Sequence, residues 1–197
     1  MTFRGFISID VEPTDKIHEF MDELERTRAP LNMVNPNHLH MTVKFLGDTE
    51  EEQTEDIIEK TEFALEDFDP FKLEVSGTGA FPHLGFMKVV WMGSEAAPDA
   101  PHAGATEDED IPFMTDMAHR VEEELVPLGF ERDDREFSPH ITVARVKGGK
   151  NKEKLREVIE KYEDEHFTTF EVKGLTLKKS ILKKSGPEYH TLETIPL

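Results

Sequence analysis

The chain has 197 residues, and its 42 acidic residues against 23 basic ones give it a formal net charge of −19. This charge excludes a broad basic face for nucleic acid, so a polyanion could be met only by a small local pocket of positive charge. The absence of cysteine excludes disulfides and thiolate metal sites. No apolar run has the length of a membrane helix and no signal-peptide pattern opens the chain, so we expect a monomeric cytoplasmic protein with no membrane partner.

In the first half, residues 4–11 alternate apolar and polar side chains, which predicts a strand. Thr14 is a candidate cap for a helix whose apolar residues recur at helical spacing, namely Ile17, Phe20, Met21 and Leu24. A loop over 32–37 leads into a strand with the sequence HLHMTVKFLG. We expect that strand to end at Gly47 to Thr49, with Thr49 capping a second helix to about Phe68.

Strands predicted over 71–81 and 85–93 complete the first half, and the second half then repeats its order. The predicted elements of the second half are a helix over 113–125, a strand in SPHITVARVKG, a helix over 151–162, and strands over 170–182 and 189–197. The stretch between the halves, Ser94–Pro112, is rich in Ala, Pro and acidic residues and lacks periodicity, so we expect a mobile, dispensable insert there. Short turns and alternating polarity favour antiparallel sheets, and the repeated order predicts an α+β protein of two related lobes.

Each half contains the phrase His-x-Thr-Val, at His40-Met41-Thr42-Val43 and again at His140-Ile141-Thr142-Val143. Side chains alternate along a strand, so His40 and Thr42 share one face while Leu39, Met41, Val43 and Phe45 point to the core. The same alternation puts His140 and Thr142 on one face. Two such strands brought together give a cleft with two imidazoles and two hydroxyls, which suits a phosphoryl group.

A single His-x-Thr on a strand is common by chance, and its functional meaning here comes from the two matching copies. Metal binding is the rival interpretation for the first copy, because His38 and His40 form a His-x-His pair. The second copy has no partners at a recognisable ligand spacing. We therefore predict a site without a metal or other cofactor.

The chain resembles the two-histidine phosphoesterases, and within them the bacterial and archaeal RNA 2′,3′-cyclic phosphodiesterases once called 2′-5′ RNA ligases. HLHMTVKFLG and REFSPHITVAR are similar to the two motifs of that family, and RGFISID and LKKSILKKSGPEYHTL to its opening and closing strands. The resemblance implies a pseudo-twofold fold in which residues 1–197 form one bilobal domain. Each lobe would be an antiparallel sheet with helices on its outer face, and the active-site cleft would lie between the lobes.

By this resemblance, His40 is the proton donor to the 3′ oxygen and His140 is the proton acceptor that activates water, so a cyclic end becomes a 2′-phosphomonoester. Thr42 and Thr142 would hold the non-bridging oxygens. Lys44 falls on the His40 face by alternation and is a candidate for substrate binding. Arg145 matches a family arginine near the phosphate, although alternation places it opposite His140 unless the strand ends or bulges.

Two alternatives to hydrolysis remain open at this stage. The same site could run in reverse and join RNA ends with a 2′-5′ bond. The chain could also be a non-catalytic protein that binds RNA ends or nucleotides, although binding alone does not require a paired acid and base. In each case the expected partner is an RNA end or nucleotide carrying a 2′,3′-cyclic phosphate.

Overall fold

The computed structural model describes residues 2–98, 100, 111–183 and 186–197. Its strands are β1 Thr2–Asp10, β2 Leu31–Met33, β3 His40–Glu50, β4 Phe71–His83, β5 Phe86–Ala96, β6 His140–Val146, β7 His166–Val172, β8 Gly174–Lys183 and β9 Gly186–Pro196. Its α-helices are α1 Asp15–Arg26, α2 Thr54–Leu65, α3 Phe113–Leu125 and α4 Lys152–Lys161. None of these helices, within the part of the chain described, has the length and apolarity needed to cross a membrane.

The strands of the described residues form one curled antiparallel sheet in the order β7-β4-β5-β6-β3-β1-β8-β9. The two strands that carry the His-x-Thr motifs, β3 and β6, are neighbours at its centre and pair antiparallel where Met41 lies opposite Ile141. Beyond this pair β6 leaves β3 and pairs with β2, from Met33 opposite Ala144 to Leu31 opposite Val146. The sheet therefore opens at its centre, next to the two motifs.

The strand order is symmetric about the β3–β6 junction. On either side of it lie β1 and β5, then β8 and β4, then β9 and β7. The helices follow the same plan, because α1 and α3 come after β1 and β5, whereas α2 and α4 come after β3 and β6. This arrangement confirms the predicted α+β fold with antiparallel pairing, and it shows that the sheets of the two halves are joined. The strands β4 and β5 lie on the β6 side and β8 and β9 on the β3 side, so these pairs are exchanged relative to the halves that the sequence order indicated.

The helices pack in two pairs, and one hydrophobic core cluster includes residues of both halves. Helix α1 begins after Thr14, whose hydroxyl accepts a hydrogen bond from the Ile17 amide at 3.4 Å, as the sequence predicted. Its buried Phe20 ring lies 5.0 Å from Tyr162 at the end of α4 and 5.6 Å from Phe167 in β7. Helices α2 and α3 contact each other in the second pair. This packing leaves the opposite face of the central strands open.

Some predicted boundaries are wrong. Strand β3 continues to Glu50, and α2 begins only after a 3-10 turn in which Glu50 and Gln53 form a capping box, so Thr49 is not a helix cap. The stretch predicted as one strand over 170–182 is divided at Lys173 into β7 and β8. Both errors arise where hydrogen bonding to a distant strand, and not local periodicity, decides where an element ends.

The predicted insert begins later than the sequence indicated. Ser94, Glu95 and Ala96 belong to β5 and pair with β4, and Ser94 is only 2% exposed. Pairing with a neighbouring strand therefore extends β5 into a segment whose composition resembles a loop. Most of the rest of the insert, namely 99 and 101–110, lies outside the described residues.

Candidate active site

Each motif strand carries a one-residue bulge directly after its His-x-Thr. Along β3 the partners in β1 pass from Ser8 opposite Thr42 to Ile7 opposite Lys44, so Val43 is the extra residue. Along β6 the partners in β5 pass from Trp91 opposite Thr142 to Val90 opposite Ala144, so Val143 is extra. A bulge puts two successive residues against one, and side chains beyond it change face.

The bulge overturns the predicted position of Lys44. Beyond Val43 its side chain turns into the protein, where it is 2% exposed. Its ammonium donates hydrogen bonds to the Glu122 carboxylate, to the Asp133 carboxylate at 3.0 Å and to the Glu131 carbonyl at 2.9 Å. Lys44 is therefore a structural tie between β3 and the segment that follows α3, and it does not line the cleft.

The residues one position further along turn the other way. Phe45, predicted to lie in the core, is 63% exposed, and its ring lies 6.4 Å from Phe6, which in turn contacts His40. Arg145 is also exposed, and it lies near Tyr189 beside His40: burial raises the pKa of the Tyr189 phenol, and the charge of Arg145 lowers it. The bulge therefore satisfies the condition under which Arg145 reaches the histidine face.

The two imidazoles have the same orientation. Nδ1 of His40 lies 2.8 Å from the His38 carbonyl, and Nδ1 of His140 lies 2.7 Å from the Ser138 carbonyl. A carbonyl only accepts, so each Nδ1 carries a proton and donates it. Each Nε2 is therefore the atom that gains or loses a proton. In the first half, a 3-10 turn over Pro36–His38, capped by Asn35, positions the His38 carbonyl.

The four motif side chains lie together on one face. Met41 and Ile141 face each other and are fully buried, so the residues on either side of them point to the opposite surface. Because the strands run antiparallel, β6 directs Thr142 towards His40, and β3 directs Thr42 towards His140. The structure thus brings together the pairs of residues that the sequence predicted.

The surroundings of the two histidines differ. His40 packs against the rings of Phe6 and Tyr189, which also contact each other, and their centroids lie 5.0 and 5.1 Å from its own. Burial is the main cause that lowers the pKa of His40 below its ordinary value. His140 packs edge to face against Phe81, with ring centroids 4.9 Å apart. The first imidazole is therefore the more enclosed of the two.

Three residues beside His40 were not predicted to contribute to the site. Asp10 lies directly opposite His40 in β1, and its carboxylate accepts a hydrogen bond from Lys178 in β8. Lys178 is only 8% exposed. Tyr189 in β9 packs edge-on against the His40 ring, and its ring centroid lies 5.9 Å from that of His38. Acidic, basic and aromatic residues are frequent in this chain, so their types alone did not single these out.

His38, which was considered as a metal ligand together with His40, contributes to the site in another way. The His38 carbonyl accepts from His40, and the His38 ring packs edge-on against Tyr189. Within the described residues, no group of three or more His, Asp or Glu side chains is arranged to hold a metal ion.

Comparison with known proteins places this geometry in a family. The sequence profile of the 2′-5′ RNA ligase superfamily matches residues 7–180. A protein of Archaeoglobus fulgidus named RNA 2′,3′-cyclic phosphodiesterase is 36% identical over 191 residues, which cover 96% of this chain and 97% of the relative. A protein of Methanothermobacter thermautotrophicus with the same name is 31% identical over the full length of both chains.

Solved structures show the same fold. The protein TT0787 of Thermus thermophilus superposes with a TM-score of 0.72 at 24% identity, over 98% of this chain and 97% of the other. LigT of E. coli, in complex with 3′-AMP, superposes with a TM-score of 0.67 at 19% identity, over 100% of this chain and 99% of LigT. The paired motifs, the full-length relatives and the shared fold agree, and the chain belongs to the 2′-5′ RNA ligase superfamily of two-histidine phosphoesterases.

Proposed function

We propose that the protein is an RNA 2′,3′-cyclic phosphodiesterase that opens a cyclic phosphate to a 2′-phosphomonoester. The observation that carries this proposal is the pair of imidazoles on adjoining strands, each with Nδ1 held by a carbonyl and Nε2 left for proton transfer. Non-catalytic binding gives no reason for this duplication. The names of the full-length relatives support the same activity and the same substrate class.

In the proposed reaction, neutral His140 takes a proton from a water molecule, whose oxygen attacks phosphorus in line. The bond from phosphorus to the 3′ oxygen breaks, and protonated His40 gives its proton to that oxygen. Thr42 and Thr142 donate hydrogen bonds to the non-bridging oxygens, and Arg145 offsets part of their charge. Each proton transfer contributes about 10²–10⁴-fold to the rate.

The surroundings of His40 are consistent with a proton donor that becomes charged when substrate is present. Burial lowers its pKa in the free protein, so the protonated form is disfavoured there. An anionic phosphodiester bound beside the ring favours that form. The substrate itself therefore helps to charge the group that protonates its leaving oxygen.

We further propose that residues 1–197 act as one bilobal domain and as a monomer in the cytoplasm. The catalytic residues come from both halves of a single chain, and one hydrophobic core includes residues of both halves. The partner would be an RNA end or a nucleotide carrying a 2′,3′-cyclic phosphate.

The test is incubation with a 2′,3′-cyclic nucleotide in the presence of EDTA, followed by phosphorus NMR. We expect the cyclic-phosphate signal to be replaced by that of a 2′-phosphomonoester, and His40→Ala and His140→Ala each to slow the conversion by about 10²–10⁴-fold. An unchanged cyclic phosphate, with binding retained, would identify a non-catalytic binding protein. A 3′-phosphate product would overturn the assignment of the leaving oxygen.

A further inference from the structure

An ion pair lies on the cleft face directly beside His40. Asp10 in β1 is opposite His40 in β3, and Lys178 in β8 donates a hydrogen bond to the Asp10 carboxylate. Lys178 is opposite Phe6 in the pairing of β1 with β8, and Phe6 packs on the His40 ring. The pair is therefore part of the floor under the imidazole.

This position is an unfavourable one for a lysine whose only role is structural. The Lys178 side chain is 10% exposed, whereas that of Asp10 is 47% exposed. Desolvating an ammonium costs several kcal/mol, and apolar residues often replace buried ion pairs without loss of stability. A buried charge kept beside an active-site imidazole is better explained by its electric effect on that imidazole.

Among the residues that the structure describes, four titratable groups face His40 from the elements around it. Asp10 comes from β1, Lys178 from β8, Tyr189 from β9, and His38 from the turn before β3. Burial is the largest influence and lowers the pKa of His40, whereas the hydrogen bond to the His38 carbonyl raises it. The charge of Lys178 then lowers this pKa and that of Asp10 raises it. Arg145 influences these groups through Tyr189, because burial raises the pKa of the Tyr189 phenol and the charge of Arg145 lowers it.

We propose that Asp10 and Lys178 are positioning residues that together control the charge and the orientation of His40. Lys178 holds the Asp10 carboxylate and neutralises it. Without Lys178, that carboxylate would attract a proton to the neighbouring imidazole and form an ion pair with it. The imidazole would then be a weaker acid, and its Nε2 would be drawn away from the leaving oxygen. The catalytic role of His40 in this scheme rests on the proposed function.

The primary test is an NMR titration of the His40 imidazole in the free protein, with its signal assigned by its loss in His40→Asn. We expect the pKa to rise in Lys178→Met, to fall in Asp10→Asn, and to lie between these two in the double variant. Lys179→Met is the matched control, since it removes a lysine one position along β8 and leaves the pair intact. An unchanged or lower pKa in Lys178→Met would overturn the proposal.

The kinetic test uses the pH dependence of kcat/KM for a 2′,3′-cyclic mononucleotide. The limb that His40 governs should move to higher pH in Lys178→Met and to lower pH in Asp10→Asn. Purely structural damage would scale the profile without moving either limb, and that result counts against the proposal.

The two readouts separate this inference from the proposed function. If the titrations show the expected order but no cyclic phosphate is hydrolysed, the proposed function fails and the control of His40 by the pair stands. If hydrolysis occurs but the titrations of the variants match the original protein, the inference fails and the proposed function stands.

Discussion

His40 and His140 have the same ring orientation, held by equivalent carbonyls, yet neither ring belongs to the hydrophobic core. We expect His40→Ala and His140→Ala each to lower kcat/KM by about 10²–10⁴-fold, because each removes one proton transfer. Thermal unfolding should change little, since both residues lie on the cleft face. Thr42→Ala and Thr142→Ala should be milder, at about tenfold, because each removes one hydrogen-bond donor. Near-normal turnover in either histidine variant would contradict the acid–base pairing.

The lowered pKa of His40 also predicts how stability depends on pH. In the unfolded chain this imidazole takes up a proton near its ordinary pKa of about 6.5, whereas burial in the folded protein delays protonation to lower pH. As the pH falls below that value, the unfolded state therefore binds more protons than the folded state, and the free energy of unfolding decreases. Urea unfolding at pH 7.5 and 5.5 should show a larger loss for the original protein than for His40→Gln. Equal losses in both proteins would show that burial does not oppose protonation of this residue.

The bulges in β3 and β6 make Lys44 and Arg145 an informative pair of variants. Lys44→Met should lower the free energy of unfolding by about 1–3 kcal/mol, because Glu122 keeps a largely buried carboxylate without its partner. Its kcat/KM for a cyclic mononucleotide should stay close to that of the original protein. Arg145→Met should do the reverse, with little loss of stability and about a tenfold or greater rise in KM. Urea unfolding and steady-state kinetics on both variants check this prediction. If Lys44→Met raised KM and Arg145→Met lowered stability, Lys44 would have to line the cleft after all.

The bulges also show what the sequence could and could not predict. Alternation correctly put His40 with Thr42 and His140 with Thr142, because the strands are regular up to the threonines. It failed at Lys44 and Phe45, since a bulge depends on hydrogen bonds to β1, more than thirty residues away in sequence. Local patterns contain no record of that register.

The helices illustrate the other side of this contrast. Helix α3 has the predicted limits, Phe113–Leu125, and its five predicted core residues are all buried: Met114, Met117, Ala118, Val121 and Leu125. A helix makes its hydrogen bonds within one segment, so its period and its limits are visible locally. In the three-residue strand β2, Asn32 and Met33 were predicted as loop, because this strand forms by pairing with β6.

At the scale of the whole molecule, the charge of −19 limits how RNA can be held. Without a broad basic groove, the protein should bind mainly the terminal cyclic phosphate and its nearest nucleotides, and few counterions would be released. The logarithm of 1/KM for an oligonucleotide with a cyclic end should fall with the logarithm of potassium chloride concentration at a slope of only about one to three. A steeper slope, or affinity that climbs strongly with RNA length, would reveal a basic track that the net charge conceals.

The junction of β3 and β6 fixes the spacing of the two histidines. Met41 and Ile141 meet there, fully buried, and each is the immediate neighbour of a histidine. The halves are also tied by the pairing of β2 with β6 and by the contacts of α2 with α3 and of α1 with α4. The separation of proton donor and proton acceptor is therefore built into the backbone before an RNA end binds, so little conformational entropy is lost in assembling the pair.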